Sequence, residues 1–215
     1  MNGAKGPGVF SAACFLVSAA ELSQLPADGM PEVAFSGRSN AGKSSALNAL
    51  CAQRQLARVS RTPGRTQLLN FFDLPGGRLV DLPGYGYAEV AREQQRDWGR
   101  VLTGYIEHRP MLRGIVLVSD IRHALVDFDR QLLAWTARVG RPMHVLLTKA
   151  DKLSRSQAMA RLKEVERALP NLHPGAKAQL FSATAGTGVE EARKAVLDWL
   201  TQEPDSGAGG AGTPE

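Results

Sequence analysis

Cysteine is nearly absent from this chain of 215 residues, which contains only Cys14 and Cys51. The two lie far apart and form no CxxC pair, and the four histidines form no cluster with them. This scarcity excludes a disulfide-stapled scaffold and argues against a transition-metal site. We therefore interpret both cysteines as reduced thiols, as expected of a cytoplasmic protein.

Long apolar runs are missing as well. The apolar segment 9–20 follows Lys5 and loosely resembles a secretory signal, but Ser11 and Ser18 interrupt it. At about a dozen residues it is too short to span a bilayer. It leads directly into the folded part of the chain, so we expect a packing helix or an edge element there, with no export and no membrane association.

Acidic residues are missing from one stretch of the sequence. Between residues 54 and 65 there are four arginines and no acid, namely Arg54, Arg58, Arg61 and Arg65, in a chain whose net charge is +5. Such a stretch either faces solvent as an ordinary charged surface or meets an anionic partner such as nucleic acid. Charge alone leaves both interpretations open.

Beyond Pro31, short apolar runs alternate with helix-like stretches. The predicted strands are 33–36, 68–74, 78–82, 114–119, 143–148 and 179–182, and the predicted helices are 43–54, 89–108, 128–139, 155–169 and 189–200. A Pro-Gly-Gly turn at 75–77 predicts a hairpin. The pattern indicates an α/β fold, with a mostly parallel six-stranded sheet, one antiparallel edge strand and helices on both faces. We expect one domain over residues 9–202, between disordered segments at 1–8 and 203–215.

A glycine-rich loop follows the first of these strands. Residues 37–44 read GRSNAGKS and match the phosphate-binding pattern GxxxxGK[ST]. Glycines let backbone N–H groups converge on a β-phosphate, and the following helix directs the positive end of its dipole at the same anion. We expect Lys43 to reach the β- and γ-phosphates and the Ser44 hydroxyl to ligate Mg²⁺. The sequence therefore predicts a P-loop nucleotide-binding fold.

A DxxG sequence lies 38 residues after Lys43, at the end of a predicted strand; its residues are Asp81, Leu82, Pro83 and Gly84. In P-loop hydrolases a carboxylate here holds the Mg²⁺ shell, usually through water, and the glycine N–H can contact the γ-phosphate. Between the two motifs we expect a threonine that completes the Mg²⁺ shell. Thr62 and Thr66 are both candidates. Thr66 is favoured because it follows a Pro-Gly pair and directly precedes an apolar strand.

Two later strand ends carry the features that select the base. The first reads Thr148, Lys149, Ala150 and Asp151, which departs from the guanine-reading pattern NKxD at its first residue. The Asp151 carboxylate can accept hydrogen bonds from guanine N1–H and the 2-amino group, and adenine offers neither. We expect the Lys149 stem to lie along the base. The second strand end reads Phe181, Ser182 and Ala183, and the N–H of Ala183 is expected to donate to guanine O6.

Taken in order, GRSNAGKSS, TPGRTQLLNFF, DLPGYGYAEV, SDIRH and TKADKL resemble the EngB (YihA/YsxC) family of bacterial GTPases within the TrmE–Era group. The resemblance covers residues 10–200 and implies a monomeric cytoplasmic GTPase that acts in maturation of the large ribosomal subunit and is required for normal cell division and septation. A threonine at the first position of the base-reading motif is usual in that family. The resemblance implies that Ser44 and Thr66 are the Mg²⁺ ligands. It places the GTP contacts at Gly37, Arg38, Ser39, Asn40, Ala41, Gly42, Lys43, Ser44, Gly64, Arg65, Thr66, Gln67, Leu68, Asp81, Leu82, Pro83, Gly84, Thr148, Lys149, Ala150, Asp151, Phe181, Ser182 and Ala183.

Hydrolysis is expected to be slow, because many relatives place a water-orienting glutamine after the DxxG glycine and this chain has Tyr85. Tyr85 can equally be a packing residue near the segment that is expected to respond to the γ-phosphate. Asn40 resembles the K⁺-binding asparagine of some TrmE–Era GTPases, where the cation can take the place of an arginine finger. We therefore expect Lys43, Thr66 and Asn40 to be the catalytic residues, with K⁺ as a second cofactor. Arginines at 38, 61 and 65 are rival charge donors.

Two other classes of function remain open at the level of sequence. One is a P-loop kinase or ATPase, which would not need Asp151 as a base reader. The other is a nucleotide-dependent interaction module with negligible turnover. If the protein is a GTPase that changes state on hydrolysis, the arginine-rich stretch could dock on ribosomal RNA in the GTP state, and such binding would weaken steeply with salt.

Overall fold

The computed structural model describes residues 8–57, 68–85 and 92–202, with the side chains of 92–98 excepted. Several sequence predictions therefore lie outside the described residues. They concern the switch threonine candidates Thr62 and Thr66, the GTP contacts Gly64, Arg65 and Gln67, most of the arginine-rich stretch, and the two terminal segments. For all of these the sequence remains the source of the prediction.

A seven-stranded sheet forms the centre of the molecule, in the order β1-β3-β4-β2-β5-β6-β7. In chain order the strands are β1 Cys14–Ala19, β2 Glu32–Gly37, β3 Leu69–Leu74, β4 Gly77–Asp81, β5 Leu112–Asp120, β6 Met143–Thr148 and β7 Lys177–Leu180. Strand β2 pairs in parallel with β4 and β5, and the parallel arrangement continues to β6 and β7. The predicted α/β class with a mostly parallel sheet is confirmed.

The predicted number of six strands is wrong, because the apolar segment 9–20 supplies β1 as a seventh. Gly8, assigned from the sequence to a disordered segment, begins a short 3-10 helix, Gly8–Ala12, that leads into β1. Strand β3 pairs antiparallel with both β1 and β4. The antiparallel strand of the sheet is therefore β3, which is second from the edge, and β1 is the edge strand. The ring of Phe15 also packs edge-on against Phe72, with centroids 6.0 Å apart. Residues 14–19 form a strand rather than a helix because β3 would otherwise expose a row of unpaired backbone N–H and C=O groups.

In the part of the chain that the structure describes, five α-helices cover both faces of the sheet: α1 Lys43–Leu50, α2 Arg92–His108, α3 Asp127–Arg138, α4 Arg155–Leu172 and α5 Val189–Thr201. Every residue of β2 and β6 is buried, as expected of central parallel strands. Along β2, Phe35 packs with α1 and α5 through Leu47 and Val196, whereas Ala34 packs with the core that includes α2, α3 and α4. Among the described residues, no helix is long and apolar enough to cross a membrane.

The two ends of β2 differ in character. At its amino end the buried Glu32 carboxylate accepts hydrogen bonds from the Tyr105 hydroxyl at 3.0 Å and from the Arg109 guanidinium. At its carboxyl end the chain enters the glycine-rich loop. Because the carboxyl ends of parallel strands meet at one edge of the sheet, the motifs after β2, β4, β6 and β7 are brought together there.

Candidate nucleotide-binding site

The loop between β2 and α1 has the strand–loop–helix context that the sequence predicts. Gly37 ends β2, where a Cβ atom would lie 2.4 Å from the Val118 carbonyl oxygen of β5, so no other residue fits without moving the strands. Asn40 and Gly42 both have left-handed backbone, with φ of 64° and 101°. Helix α1 begins at Lys43, and its N-terminus therefore opens onto the loop.

The DxxG segment runs alongside this loop. Asp81 ends β4 beside Phe35, and its carboxylate accepts a hydrogen bond from the Lys43 ammonium. A Cβ atom on Gly84 would lie 3.3 Å from the Ser39 Cα and nitrogen atoms, which is tighter than ordinary contact. The Ser39 N–H donates to the Tyr85 carbonyl at 2.9 Å. The glycine at this position therefore lets the two loops approach backbone to backbone.

The donors predicted for Mg²⁺ fit a hard cation. Ser44 lies in the first turn of α1 and Asp81 is only 8% exposed, so a hydroxyl and a carboxylate oxygen are offered beside the phosphate loop. The ammonium of Lys43 lies beside the same carboxylate, because it forms an ion pair with Asp81. The third predicted donor, Thr66, lies outside the described residues, and Leu68 directly precedes β3.

Thr148, the departure from the usual asparagine, has a clear contact. Its hydroxyl is buried and donates to the Ala41 carbonyl at 2.5 Å, with the Ser119 carbonyl 3.2 Å away. The neighbouring Lys149 has left-handed backbone, and its ammonium donates to the Asn40 carbonyl at 2.7 Å. The base-reading segment thus holds the phosphate loop through two backbone carbonyls, and a hydroxyl suffices as one of the donors.

Asp151 and Ser182 come together from two separate strand ends. The Ser182 hydroxyl donates to Asp151 Oδ1 at 2.6 Å, and the same hydroxyl oxygen accepts the Ala185 N–H at 3.0 Å. The Ser182 hydrogen bond holds the pKa of Asp151 below its usual value, so the carboxyl group is ionised near neutral pH. The segments are also joined by the Ala150 N–H, which donates to the Phe181 carbonyl at 3.1 Å. An oriented carboxylate is therefore presented at the sheet edge, next to the exposed Ala183.

Sequence reasoning missed Asp120, the last residue of β5. Its carboxylate pairs with Lys149 at 2.9 Å and with Arg122 at 2.7 Å. Burial alone would raise the pKa of Asp120, but hydrogen bonds from Arg122 and Lys149 bring it below its usual value. The signal was present in the SDIRH segment, where an acid ends a central parallel strand. A cavity of about 240 Å³ lies here, lined in part by Arg38, Asn40, His123 and Asp129.

The glycine loop with Lys43, the DxxG carboxylate and the oriented Asp151, all at one edge of a mostly parallel sheet, define a P-loop GTPase. A family model described as 50S ribosome-binding GTPase matches residues 32–149. A relative in Stenotrophomonas maltophilia, named probable GTP-binding protein EngB, is 53% identical over 87% of this chain and 94% of its own length. One of the same name in Methylobacillus flagellatus is 50% identical over 92% of this chain and 96% of the relative. The chain belongs to the EngB family of GTP-binding proteins.

Solved structures agree with this fold. The crystal structure of a probable GTP-binding protein EngB superposes with a TM-score of 0.63 at 18% identity. The match covers 80% of this chain and 100% of that chain. Era of Aquifex aeolicus gives a TM-score of 0.62 at 19% identity, over 81% of this chain and 58% of that one. As a member of the family, the chain binds GTP and hydrolyses it to GDP and phosphate. The kinase or ATPase interpretation and the module without turnover are thereby set aside.

Proposed function

We propose that this chain is a monomeric, cytoplasmic, Mg²⁺-dependent GTP switch that acts in assembly of the large ribosomal subunit. Slow hydrolysis would then time its release from a precursor particle made of ribosomal RNA and protein. The description of the matching family model as a 50S ribosome-binding GTPase supports this role. A need for the protein in cell division and septation would follow from ribosome supply, without contact with the division machinery.

Guanine selection rests on Asp151, and its contact with Ser182 is the observation that carries the proposal. An ionised, oriented carboxylate matches the two adjacent donors on the guanine edge, and adenine offers neither of these donors. In this proposal the base lies between the segments Thr148, Lys149, Ala150 and Asp151 on one side and Phe181, Ser182 and Ala183 on the other. The close joining of these segments supports it.

The phosphates belong at the glycine loop. Backbone N–H groups from Gly37 to Ser44 would surround the β-phosphate, with Gly84 meeting the γ-phosphate. The pairing of Lys43 with Asp81 places the ammonium next to both loops, and on nucleotide binding we expect Lys43 to exchange this carboxylate for phosphate oxygens. Ser44, Thr66 and, through water, Asp81 are the proposed Mg²⁺ ligands. When bound, Mg²⁺ would neutralise charge on the phosphates.

Hydrolysis is proposed to use Lys43, Thr66 and Asn40, with K⁺ held by Asn40 as a charge-neutralising cation. Asn40 has left-handed backbone at the top of the loop, and Lys149 holds its carbonyl in place. A single-turnover assay compares 200 mM K⁺ with 200 mM Na⁺, values of about physiological ionic strength. Faster hydrolysis in K⁺ is expected for the natural chain and not for Asn40→Ala. Equal rates in the two salts would contradict the K⁺ site.

The arginine-rich stretch is the proposed contact with ribosomal RNA. Arg54 is exposed, and the stretch overlaps the segment expected to respond to the γ-phosphate. Binding to large-subunit precursors should be tighter with a GTP analogue than with GDP. It should also weaken steeply between 50 and 200 mM salt, by about ten-fold for every two phosphates that the arginines neutralise. Binding that ignores both salt and nucleotide would rule out this role.

The decisive experiment concerns the base. Titration calorimetry with Mg²⁺ should show GTP bound at least about 10³-fold more tightly than ATP. Asp151→Asn should abolish this preference and favour xanthosine triphosphate, because the amide can donate to the 2-oxo group. Asp198→Asn is the matched control, since Asp198 is an exposed aspartate that pairs with Lys194 on α5. If Asp151→Asn retained full GTP preference, the assignment of the base-reading residue would be wrong.

A further inference from the structure

Tyr85 occupies the position where many relatives place a water-orienting glutamine, and the structure gives it a different set of contacts. Its backbone bridges to Arg38, and its carbonyl accepts the Ser39 N–H at 2.9 Å. The preceding Gly84 packs closely against Ser39, where a Cβ atom would make contacts of 3.3 Å. The main chain at Tyr85 is therefore fixed against the phosphate loop.

The side chain of Tyr85 is held from the other direction by α3. Its hydroxyl donates to Asp129 Oδ1, and its ring stacks on Phe128 with centroids 5.5 Å apart and an interplanar angle of 24°. Asp129 is only 2% exposed, and its other oxygen accepts the Ser119 hydroxyl at 2.7 Å. The hydroxyl of Tyr85 is thus committed to a buried acceptor, which is itself anchored to β5.

The chemistry of the phenol agrees with a fixed hydrogen-bond donor. Burial, with the charge of Asp129 and the hydrogen bond to it, raises the pKa of Tyr85, so the hydroxyl keeps its proton over the physiological range. Burial likewise raises the pKa of Asp129, against the lowering effect of the Tyr85 and Ser119 hydrogen bonds. Leaving Asp129 without its donors would strand a buried polar group, which is costly.

We propose that Tyr85 is a positioning residue that fixes the Gly84 N–H at the γ-phosphate through its hydrogen bond to Asp129, and so strengthens the binding of GTP relative to that of GDP. This inference rests on the proposed nucleotide site, in which Gly84 meets the γ-phosphate. GDP has no atom at that position. The hydrogen bond should therefore contribute to the binding of GTP and leave GDP almost unaffected, and Tyr85 has no part in orienting the attacking water.

The test is titration of the full chain with GDP and with a non-hydrolysable GTP analogue, both with Mg²⁺. Tyr85→Phe keeps the ring and removes the hydroxyl; we expect about five-fold weaker binding of the analogue, the usual worth of one hydrogen bond, with GDP affinity changed less than two-fold. Tyr105→Phe is the matched control: it deletes a buried hydroxyl bonded to the Glu32 carboxylate at the far end of β2, and should alter neither affinity.

A second variant tests the pair. Asp129→Ala should reproduce the selective loss, and the double variant Tyr85→Phe with Asp129→Ala should lose no more than either alone, because both remove the same hydrogen bond. Asp129→Asn keeps an acceptor for Tyr85 and should recover most of the analogue affinity.

Two results would overturn the inference. If Tyr85→Phe weakened GDP and the analogue equally, Tyr85 would be merely structural. If it slowed single-turnover hydrolysis more than ten-fold while analogue affinity stayed intact, the tyrosine would act in the chemical step. Neither result touches the proposed function, which instead fails if the natural chain does not prefer GTP to ATP.

Discussion

Single side chains hold the phosphate loop in this structure, and Thr148 shows how. Its one hydroxyl replaces the amide of the more common asparagine and reaches a carbonyl 107 positions earlier in the chain. Since the receiving group is backbone, the contact asks little of the loop sequence. What matters is a buried donor at the end of β6, and threonine, with a short and stiff side chain, provides one at low entropic cost.

Removing this donor should loosen the loop in every nucleotide state. We expect Thr148→Val to weaken GDP and GTP analogue binding alike, by about five-fold, and to destabilise the protein by about 1–2 kcal/mol, because the Ala41 carbonyl loses its partner. Calorimetry and thermal melting measure the two effects. Thr136→Val is the control, since Thr136 is equally buried but bonds to carbonyls of its own helix. Unchanged GDP affinity in Thr148→Val would contradict the anchoring role.

Asp28 gives a residue-level prediction for pH. The hydrogen bond from the buried Arg78 lowers the pKa of Asp28 from 3.8 to about 2. A lowered folded-state pKa means that the carboxylate stabilises the fold above pH 4, and that this contribution is lost as the pH falls towards 2. Half of the Asp28 side chain is exposed, so the effect is modest, about 1 kcal/mol or less.

In practice, Asp28→Asn should melt at a lower temperature than the natural chain at pH 6, and the gap should close as the pH falls from 5 to 2.5. Melting curves of both proteins across this range measure it. A gap that widened on acidification would show that the assigned direction of the pKa shift is wrong.

Among the elements, α1 is the one on which the site depends most, because it begins at Lys43 and Ser44 and is only eight residues long. Its far end is held by α5: Arg193 donates to the Leu50 carbonyl at 2.7 Å and to the Ala49 carbonyl at 3.1 Å. A cation at a helix C-terminus also complements the helix dipole. Helix α2 has a similar arrangement, since Arg141 donates to the Glu107 and Arg109 carbonyls at its end.

We expect Arg193→Met to destabilise the protein by about 2 kcal/mol, because the two charge-assisted hydrogen bonds to α1 are removed while the aliphatic volume is retained. For a chain of this size the melting temperature should fall by about 4–8 °C. GDP should also dissociate faster, since α1 carries two of the proposed phosphate and Mg²⁺ contacts. Lys194→Met, at the exposed neighbouring position, should do neither. Equal melting of the two variants would refute the capping role.

At the scale of the whole molecule, the fold and most of the candidate site follow from sequence. Strand–helix alternation predicts the sheet, and Lys43, Asp81 and Asp151 are found from spacing because each ends or follows a strand at one edge. Strand β1 is different: a short apolar run suits a helix or a strand equally, and only pairing with β3 decides between them. The same holds for Tyr85 and Asp129, whose contact spans 44 positions and has no local pattern.

Binding should be visible in the stability of the complete chain. At a nucleotide concentration 100 times the dissociation constant, GDP should add about 2.7 kcal/mol to the free energy of unfolding. We therefore expect the melting temperature to rise by about 5–10 °C with GDP and Mg²⁺, and to rise further with concentration. ADP at the same concentrations is the comparison. An equal rise with ADP would mean that the guanine edge is not read.

Strand β1 has a practical consequence for handling the protein. The sheet has two edge strands, β1 and β7. Strand β7 has four residues and starts with Lys177, and a short, charged edge strand disfavours edge-to-edge pairing with another molecule. The other edge strand, β1, is longer. Its side chains Phe15 and Leu16 are 57% and 40% exposed, and they lie beside the exposed thiol of Cys14. At high concentration, molecules of this protein should therefore associate through their β1 edges. A reducing buffer and a moderate protein concentration are the suitable storage conditions.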